Sequence, residues 1–367
     1  SCPPAPPAVL ERSVADVSFL AGLIIDKFRF HLPLYRQHQR LALAGVHVGR
    51  STLTGFVHRA GGLLEPVYEA QLRSILSSQV LAMDETPIKA GRKDRPPPQR
   101  GVMQKGYFWP IYGDRHEIAF PFANTRAAVV VKEALRTYAG VLLSDGYRVY
   151  DTYAKSTTGI VHAQCWSHVR RQFEAAESAD PPRAGQVLDR IGVLYQHEAA
   201  LRTQAWVPEK VLAYRAEHAR PLVEQLFAYL KEELQTALFL PSHPFRKAAH
   251  YALEREKALK VFLDRPDVPL DTNHLERALR PIAIGRKNWM FCWTEVGAKY
   301  VGILQSLLMT CQLQDIDPYT YLVDVLQRID THPAKDVALL TPRLWKETFA
   351  ANPLRSPLEG KLRTSRP

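Results

Sequence analysis

The chain has 367 residues, 46% of them hydrophobic and 23% charged, a globular balance in a length that suggests two or three units rather than one compact domain. Lys and Arg total 48 against 37 Asp and Glu, a net charge of +11, which favours a polyanionic partner, either nucleic acid or an anionic membrane surface. The apolar runs, such as residues 19–25, fall far short of the ~20 residues needed to span a bilayer, so no membrane partner is expected.

The opening Ser-Cys-Pro-Pro-Ala-Pro-Pro lacks a basic region followed by an apolar one and does not read as a signal peptide. The chain starts at Ser1 rather than Met, which is compatible with a piece of a longer protein. Cysteines at 2, 165, 292 and 311 do not make a disulfide framework for a chain of this length, and a reducing, cytoplasmic setting fits them.

In chain order, residues 1–9 read as an extended Pro/Ala-rich lead-in. The pattern is then helical from Val14 to about Leu81. Within it, residues 34–44, a Gly45–Arg50 turn, and residues 51–60 with Ser51 as N-cap and Leu53, Phe56 and Val57 on one face outline a helix-turn-helix, or equally an ordinary helical hairpin. Residues 79–83, 107–112 and 118–122 favour strands. A helix follows from Thr125 to about Tyr138, then strands at 141–143 and 160–163 and a basic helix after Cys165. This order predicts an α/β fold, a mixed sheet with helices packed on it. Residues 169–260 read as almost wholly helical, an insertion; residues 273–282 form the strongest late helix; the tail beyond about Asp330 loses periodicity and is expected to be loosely held.

Two aspartates end apolar strands: Asp84 in Leu-Ala-Met-Asp-Glu-Thr-Pro and Asp145 in Val-Leu-Leu-Ser-Asp-Gly-Tyr. Catalytic groups gather where the strands of an open sheet end, although Asp-Gly and Asp before Thr-Pro are also turn sequences. Glu276 lies about 100° off the Leu275, Leu279, Ile282 stripe, with Asn273 and Arg280 on its side. An Asn273–Glu276 capping box and a Glu276–Arg280 ion pair are alternative readings there. Together the three carboxylates offer hard oxygen donors for Mg²⁺ or Mn²⁺, and two such ions suit phosphodiester exchange. Basic residues surround them: Lys89, Arg92, Lys93, Arg95, Arg100 and Lys105 after Asp84, and Arg277, Arg280, Arg286 and Lys287 after Glu276. Such clusters suit a DNA backbone, or a solvated face. Cys165-x-x-His168 offers two zinc ligands, with His162 a third and no fourth evident; a supporting role near the carboxylates is the preferred reading. No Lys-Ser/Thr phosphate loop, His-Glu-x-x-His or Gly-x-Ser-x-Gly occurs.

Asp84-Glu85-Thr86-Pro87, Gly106-Tyr107-Phe108-Trp109, Ser144-Asp145-Gly146-Tyr147, Cys165-Trp166-Ser167-His168-Val169-Arg170-Arg171 and Asn273-x-x-Glu276-Arg277-x-x-Arg280-Pro281-x-x-x-Gly285-Arg286-Lys287-Asn288-Trp289 occur in this order. Together they resemble the bacterial insertion-sequence-sixty-six family of transposases, TnpC type, of the DDE superfamily. His31-Leu32-Pro33-Leu34-Tyr35-Arg36-Gln37 and Asp315-x-Asp317-Pro318-Tyr319-x-Tyr321-Leu322 are similar to its flanking segments.

The resemblance implies an RNase H-like core interrupted by the helical insertion. On that basis residues 1–75 are an N-terminal helical, helix-turn-helix-like region, 76–172 and 268–312 the two parts of the core, 173–267 the insertion, and 313–367 a C-terminal region. It implies that Asp84, Asp145 and Glu276 are catalytic and bind the metal, with Cys165, His168, Asn273 and Arg280 close by. Water would free a 3′-OH at the element's end, and that 3′-OH would attack target DNA. The implied partners are double-stranded DNA, further copies of the chain assembled on it, and accessory proteins of the element, in the bacterial cytoplasm on the nucleoid. Family members usually carry a Cys-rich zinc module before the region that starts here; Cys2 alone stands in its place, so this chain is not expected to form one there. A catalytically silent DNA-binding remnant and an RNase H-type nuclease are the competing functions.

Overall fold

Apolar side chains recurring at helical spacing fold the N-terminal region as four helices in the computed structural model: α1 (Val17–Phe28), α2 (Leu34–Leu43), α3 (Arg50–Leu63) and α4 (Glu65–Ile75). The structure describes residues 9–11, 13, 15–91, 103–203, 206–288, 291–292 and 294–358. Six short strands follow: β1 (Val80–Met83), β2 (Thr86–Gly91), β3 (Met103–Phe108), β4 (Ile111–Gly113), β5 (Glu117–Ala119) and β6 (Phe122–Ala123). Then come α5 (Ala128–Leu135), β7 (Gly140–Ser144), α6 (Arg148–Ser156) and β8 (Ile160–Gln164). A helical run comprises α7 (Trp166–Glu177), α8 (Pro181–Thr203), α9 (Pro208–Tyr214), α10 (Arg220–Thr236), α11 (Pro244–Leu253) and α12 (Glu256–Leu259). The chain closes with α13 (Asn273–Asn288), β9 (Phe291–Cys292), α14 (Glu295–Leu313), α15 (Pro318–Arg328) and α16 (Pro342–Thr348). The fold is mixed α/β. None of its described helices is long and apolar enough to cross a membrane.

The chain divides into two compact units: Ser1–Ser78, Glu85–Arg126 and Ala278–Pro367 form the first, Gln79–Asp84 and Ala127–Arg277 the second. The first holds a mixed sheet in the order β6-β3-β2-β9, with β2–β3 and β3–β6 antiparallel and β2–β9 parallel. It also holds the antiparallel pair β4–β5. Helix α14, buried along most of its length, is its spine. Gln71 Nε2 donates to Ile118 O at 2.8 Å and to Thr310 Oγ1 at 2.9 Å, joining α4, β5 and α14 through one buried amide.

The second unit holds β1, β7 and β8 in parallel. One apolar cluster runs from Val80, Val141 and Leu143 on the strands through Trp166 and Phe173 to Phe227, Phe245 and Phe262. Trp166 is central: its ring packs edge-on against Phe227 and Phe262, and Nε1 donates to Leu259 O at 2.9 Å. Arg215 and Glu198 form a buried ion pair at 2.8 Å, and the guanidinium also donates to Phe262 O, Arg265 O and Val268 O. That network satisfies the charge where an isolated one would be costly.

Several sequence expectations change. The two aromatic runs each split, because Pro110 and Pro121 lack the N–H a ladder needs. Helix α6 was not anticipated. Helix α3 starts at Arg50, with Gly49 rather than Ser51 as its cap. Helix α13 continues through Pro281 to Asn288. The tail, expected to be loose, is held as far as α16. There Trp345 is 2% exposed, packs on Tyr321, and donates from Nε1 to the buried Asp324 Oδ2 at 2.6 Å. One aromatic anchor in a seven-residue helix leaves no periodicity to read.

Candidate catalytic site

The second unit supplies the first two carboxylates from its sheet. All of β1 is buried, and β7 is buried from Val141 onward. They pair in parallel with Val80 opposite Val141 and Ala82 opposite Leu143. Carried two residues further, that register sets Asp84 beside Asp145 at the carboxyl ends of neighbouring strands, where an open sheet places its chemistry. Asp145 is half-buried, and its Oδ1 accepts the Tyr147 N–H at 2.9 Å, turning the chain into α6.

The next strand adds a thiol. Ser144 pairs with Gln164, and Cys165 N donates to Ser144 O at 3.1 Å, so Cys165 follows β8 alongside Asp145. Its Sγ lies 2.9 Å from Ser167 Oγ and accepts from Thr272 N and Oγ1, both at 3.3 Å. Burial opposes ionisation of this thiol, but its polar neighbours His168, Ser167 and Thr272 outweigh it and hold it below its ordinary range. Burial likewise opposes charge on His168, yet Cys165 and Asp145 draw its pKa above the usual value. The thiol ties the end of β8 to Ser167 on α7 and to Thr272, the residue preceding α13.

Glu276 sits on the first turn of α13, its side chain 29% exposed. Arg171 Nη2 donates to its Oε2 at 2.6 Å, and His168 Nε2 stands 3.9 Å from its Oε1. The carboxylate therefore faces α7, in place of the alternative pairing with Arg280 along its own helix. The alternative capping box is likewise replaced: Asn273 N and Nδ2 both donate to Asp271, at 2.9 and 2.6 Å.

His162, the third zinc ligand considered, points elsewhere. Its Nε2 meets Ser144 Oγ at 2.9 Å and its Nδ1 lies 3.9 Å from Asp151. Burial, opposed by Asp151 and Asp145, pushes its pKa down to about 4. Among the described residues no group of three or more His, Cys, Asp or Glu side chains is gathered to hold a metal ion. Asp84, Asp145 and Glu276 offer hard oxygens that fit Mg²⁺ or Mn²⁺ in chemical type, with Glu276 tied to Arg171.

The basic residues divide. Lys89 and Lys105 are exposed and directly opposite each other on β2 and β3. Arg277, Arg280, Arg286 and Lys287 line the exposed side of α13, with Arg286 Nη1 donating to Pro87 O at 2.9 Å. Arg92, Lys93, Arg95 and Arg100 lie outside the described residues, as does Cys2. Sequence reasoning did not single out Arg171 or Thr272. Arg171 lies three residues after His168, one helical turn on, and that spacing was the available signal; nothing local marks Thr272.

A family model described as "Transposase IS66 family" matches residues 12–300, and one described as "IS66 C-terminal element" matches residues 306–342. The chain is similar to three proteins of Sinorhizobium fredii (strain NBRC 101917 / NGR234). It is 30% identical to "Uncharacterized protein y4hP" over 95% of this chain and 65% of that protein, and 30% identical to "Uncharacterized protein y4jD" over 94% and 68%. It is 28% identical to "Uncharacterized protein y4qI" over 92% and 64%. The chain thus spans about two thirds of the length of the curated relatives it matches. Among solved structures, "Drosophila P element transposase strand transfer complex" aligns over 96% of this chain and 91% of that one, at 12% identity and a TM-score of 0.29, a likeness too distant to carry an argument.

Proposed function

Because the chain belongs to the IS66 transposase family, we propose that it is a DDE transposase on an RNase H-like core, cutting DNA at the ends of an insertion sequence and joining them to target DNA. The observation that carries this reading is the β1–β7 register, which brings Asp84 and Asp145 to adjacent strand ends. Glu276, on the first turn of α13, is the third member. These three residues would hold Mg²⁺ or Mn²⁺, and a pair of such ions supplies the Lewis acidity for in-line phosphodiester displacement.

The chain's own residues do the rest. Asp84 and Asp145 present oxygens from a rigid sheet, so the donors are set before substrate arrives. Glu276 becomes a donor when Arg171 turns to a DNA phosphate. Arg277, Arg286 and Lys287 on α13, and Lys89 and Lys105 on the β2–β3 hairpin, meet the backbone. Water opens the phosphodiester and leaves a 3′-OH, which attacks the target strand directly; no bond to the protein forms. The α2–α3 pair adds a DNA contact, copies of the chain assemble on the two ends, and accessory proteins of the element take part. The hold of Arg171 on Glu276 favours a second reading, a catalytically silent DNA-binding remnant.

Calorimetric titration of Mn²⁺, with a nicking assay on labelled duplex, separates the two. The wild-type chain should bind Mn²⁺ and nick DNA. Asp84→Asn, Asp145→Asn and Glu276→Gln should each abolish nicking and leave duplex affinity largely intact. Equal Mn²⁺ binding by wild type and the Asp84→Asn/Asp145→Asn double variant would overturn the metal assignment.

A further inference from the structure

A cleft immediately beyond Asp145 has no part in that mechanism. It encloses about 760 Å³ and is lined by Gly146 and Arg148 at the start of α6, by His162 and Gln164 of β8, and by Arg255 and Lys257 next to and within α12. A volume of that order suits one small ligand or a nucleotide unit, not an intact duplex.

Its lining is incomplete in a specific way. Gln164 is 8% exposed, and its amide oxygen has no hydrogen-bond partner. Arg255 lies with its guanidinium 3.9 Å from the centre of the Tyr251 ring. Nη1 donates to Tyr251 O at 3.0 Å and Nη2 to Gly146 O at 3.4 Å, while Nε is buried and unpartnered. The guanidinium is therefore held over an aromatic ring by two bonds to backbone carbonyls. Gly146 is required for this arrangement, since a Cβ there would stand 2.3 Å from Tyr251 Oη. Lys155 is paired with Asp151 at 2.7 Å and Arg255 with Glu254 at 3.2 Å. Arg148 and Lys257 have no ion-pair partner among the described residues.

A stacking plane, an unpaired acceptor and two uncommitted cations are what an unstacked nucleotide needs. Bases splayed from a helix are bound by stacking on aromatic rings or guanidinium planes and by hydrogen bonds to their edges, and their phosphates by Lys and Arg. We propose that this cleft binds a single unpaired nucleotide of the DNA strand processed at Asp145, with its base on the Arg255–Tyr251 stack and its phosphate between Arg148 and Lys257. An exocyclic amine or ring N–H of the base supplies the donor that Gln164 lacks. The inference rests on the transposase reading, because it takes DNA as the polymer presented to this edge of the sheet.

The test is fluorescence anisotropy without divalent metal, comparing a blunt duplex with the same duplex carrying a single-stranded tail. The first unpaired base of the tail is 2-aminopurine, whose emission falls when it stacks. Wild type should prefer the tailed duplex by about tenfold and quench the probe. Arg255→Gln, and the exposed variant Lys257→Glu, should lose the preference and keep blunt-duplex affinity and melting temperature. Gln164→Leu should weaken tail binding alone. Equal affinity of wild type for tailed and blunt duplexes, or quenching that survives Arg255→Gln, would overturn the cleft assignment and leave the transposase reading standing. Failure to bind any DNA would overturn both.

Discussion

Arg171 and Glu276 are far apart in sequence, yet the guanidinium donates to the carboxylate at 2.6 Å. A cation already bound to one of three proposed donors competes with a metal for the same oxygens. Arg171→Gln should therefore tighten Mn²⁺ binding several-fold in calorimetry; weaker binding would make Arg171 a support of the site rather than a competitor. His162 gives the pH prediction. Burial holds its pKa at about 4, while in the unfolded chain it titrates near the ordinary 6.5. Below pH 6.5 the unfolded chain takes up a proton that the folded one refuses. The stability present above pH 6.5 should thus fall as pH drops toward 4, by up to about 3 kcal/mol. Urea denaturation at pH 7 and pH 5 should show a smaller loss for His162→Gln than for wild type; equal losses would refute the assignment. Asp84 and Asp145 were visible in the sequence because each ends an apolar run. The partners of Glu276 and Cys165 were not, because Arg171 and Thr272 reach them across more than a hundred residues, a separation that no local pattern encodes.

Among the elements, the β2–β3 hairpin sets Lys89 directly opposite Lys105. Like charges at facing positions destabilise a ladder, and the DNA contact proposed above would offset that cost by placing one anion against both. Lys89→Gln/Lys105→Gln should lower the slope of log affinity against log salt by about two, near one for each phosphate no longer neutralised; an unchanged slope would remove the hairpin from the DNA surface. Helix α14 depends on close approach: a Cβ at Gly302 would lie 2.3 Å from Phe120 O and 3.2 Å from the Phe108 ring. Gly302→Ala should cost about 2 kcal/mol, read as a shift in denaturation midpoint. The strands β1 and β7 were legible because each is an apolar run, buried almost throughout, that ends at an aspartate. Helix α16 was not, because its place depends on Trp345 reaching a buried carboxylate, an interaction with no sequence period.

For the whole molecule, the net charge of +11 predicts that the proposed association with DNA is driven largely by counterion release and weakens steeply with salt. A specific consequence lies in how the two units share the chain. The second is complete at Arg277, whereas the first is built from Ser1–Ser78, Glu85–Arg126 and everything from Ala278 onward. On the ribosome the order of emergence therefore inverts the order of closure. Helices α1 to α4 leave the exit tunnel ahead of the second unit but must wait for α14, synthesised more than two hundred residues later, to cover Gln71 and the buried face of α3. The middle of the chain can meanwhile collapse on its own aromatic core. A frameshift shortly after Arg277 would accordingly release a protein whose second unit is whole and whose first exposes apolar helices, a substrate for chaperones and proteases rather than a smaller working protein.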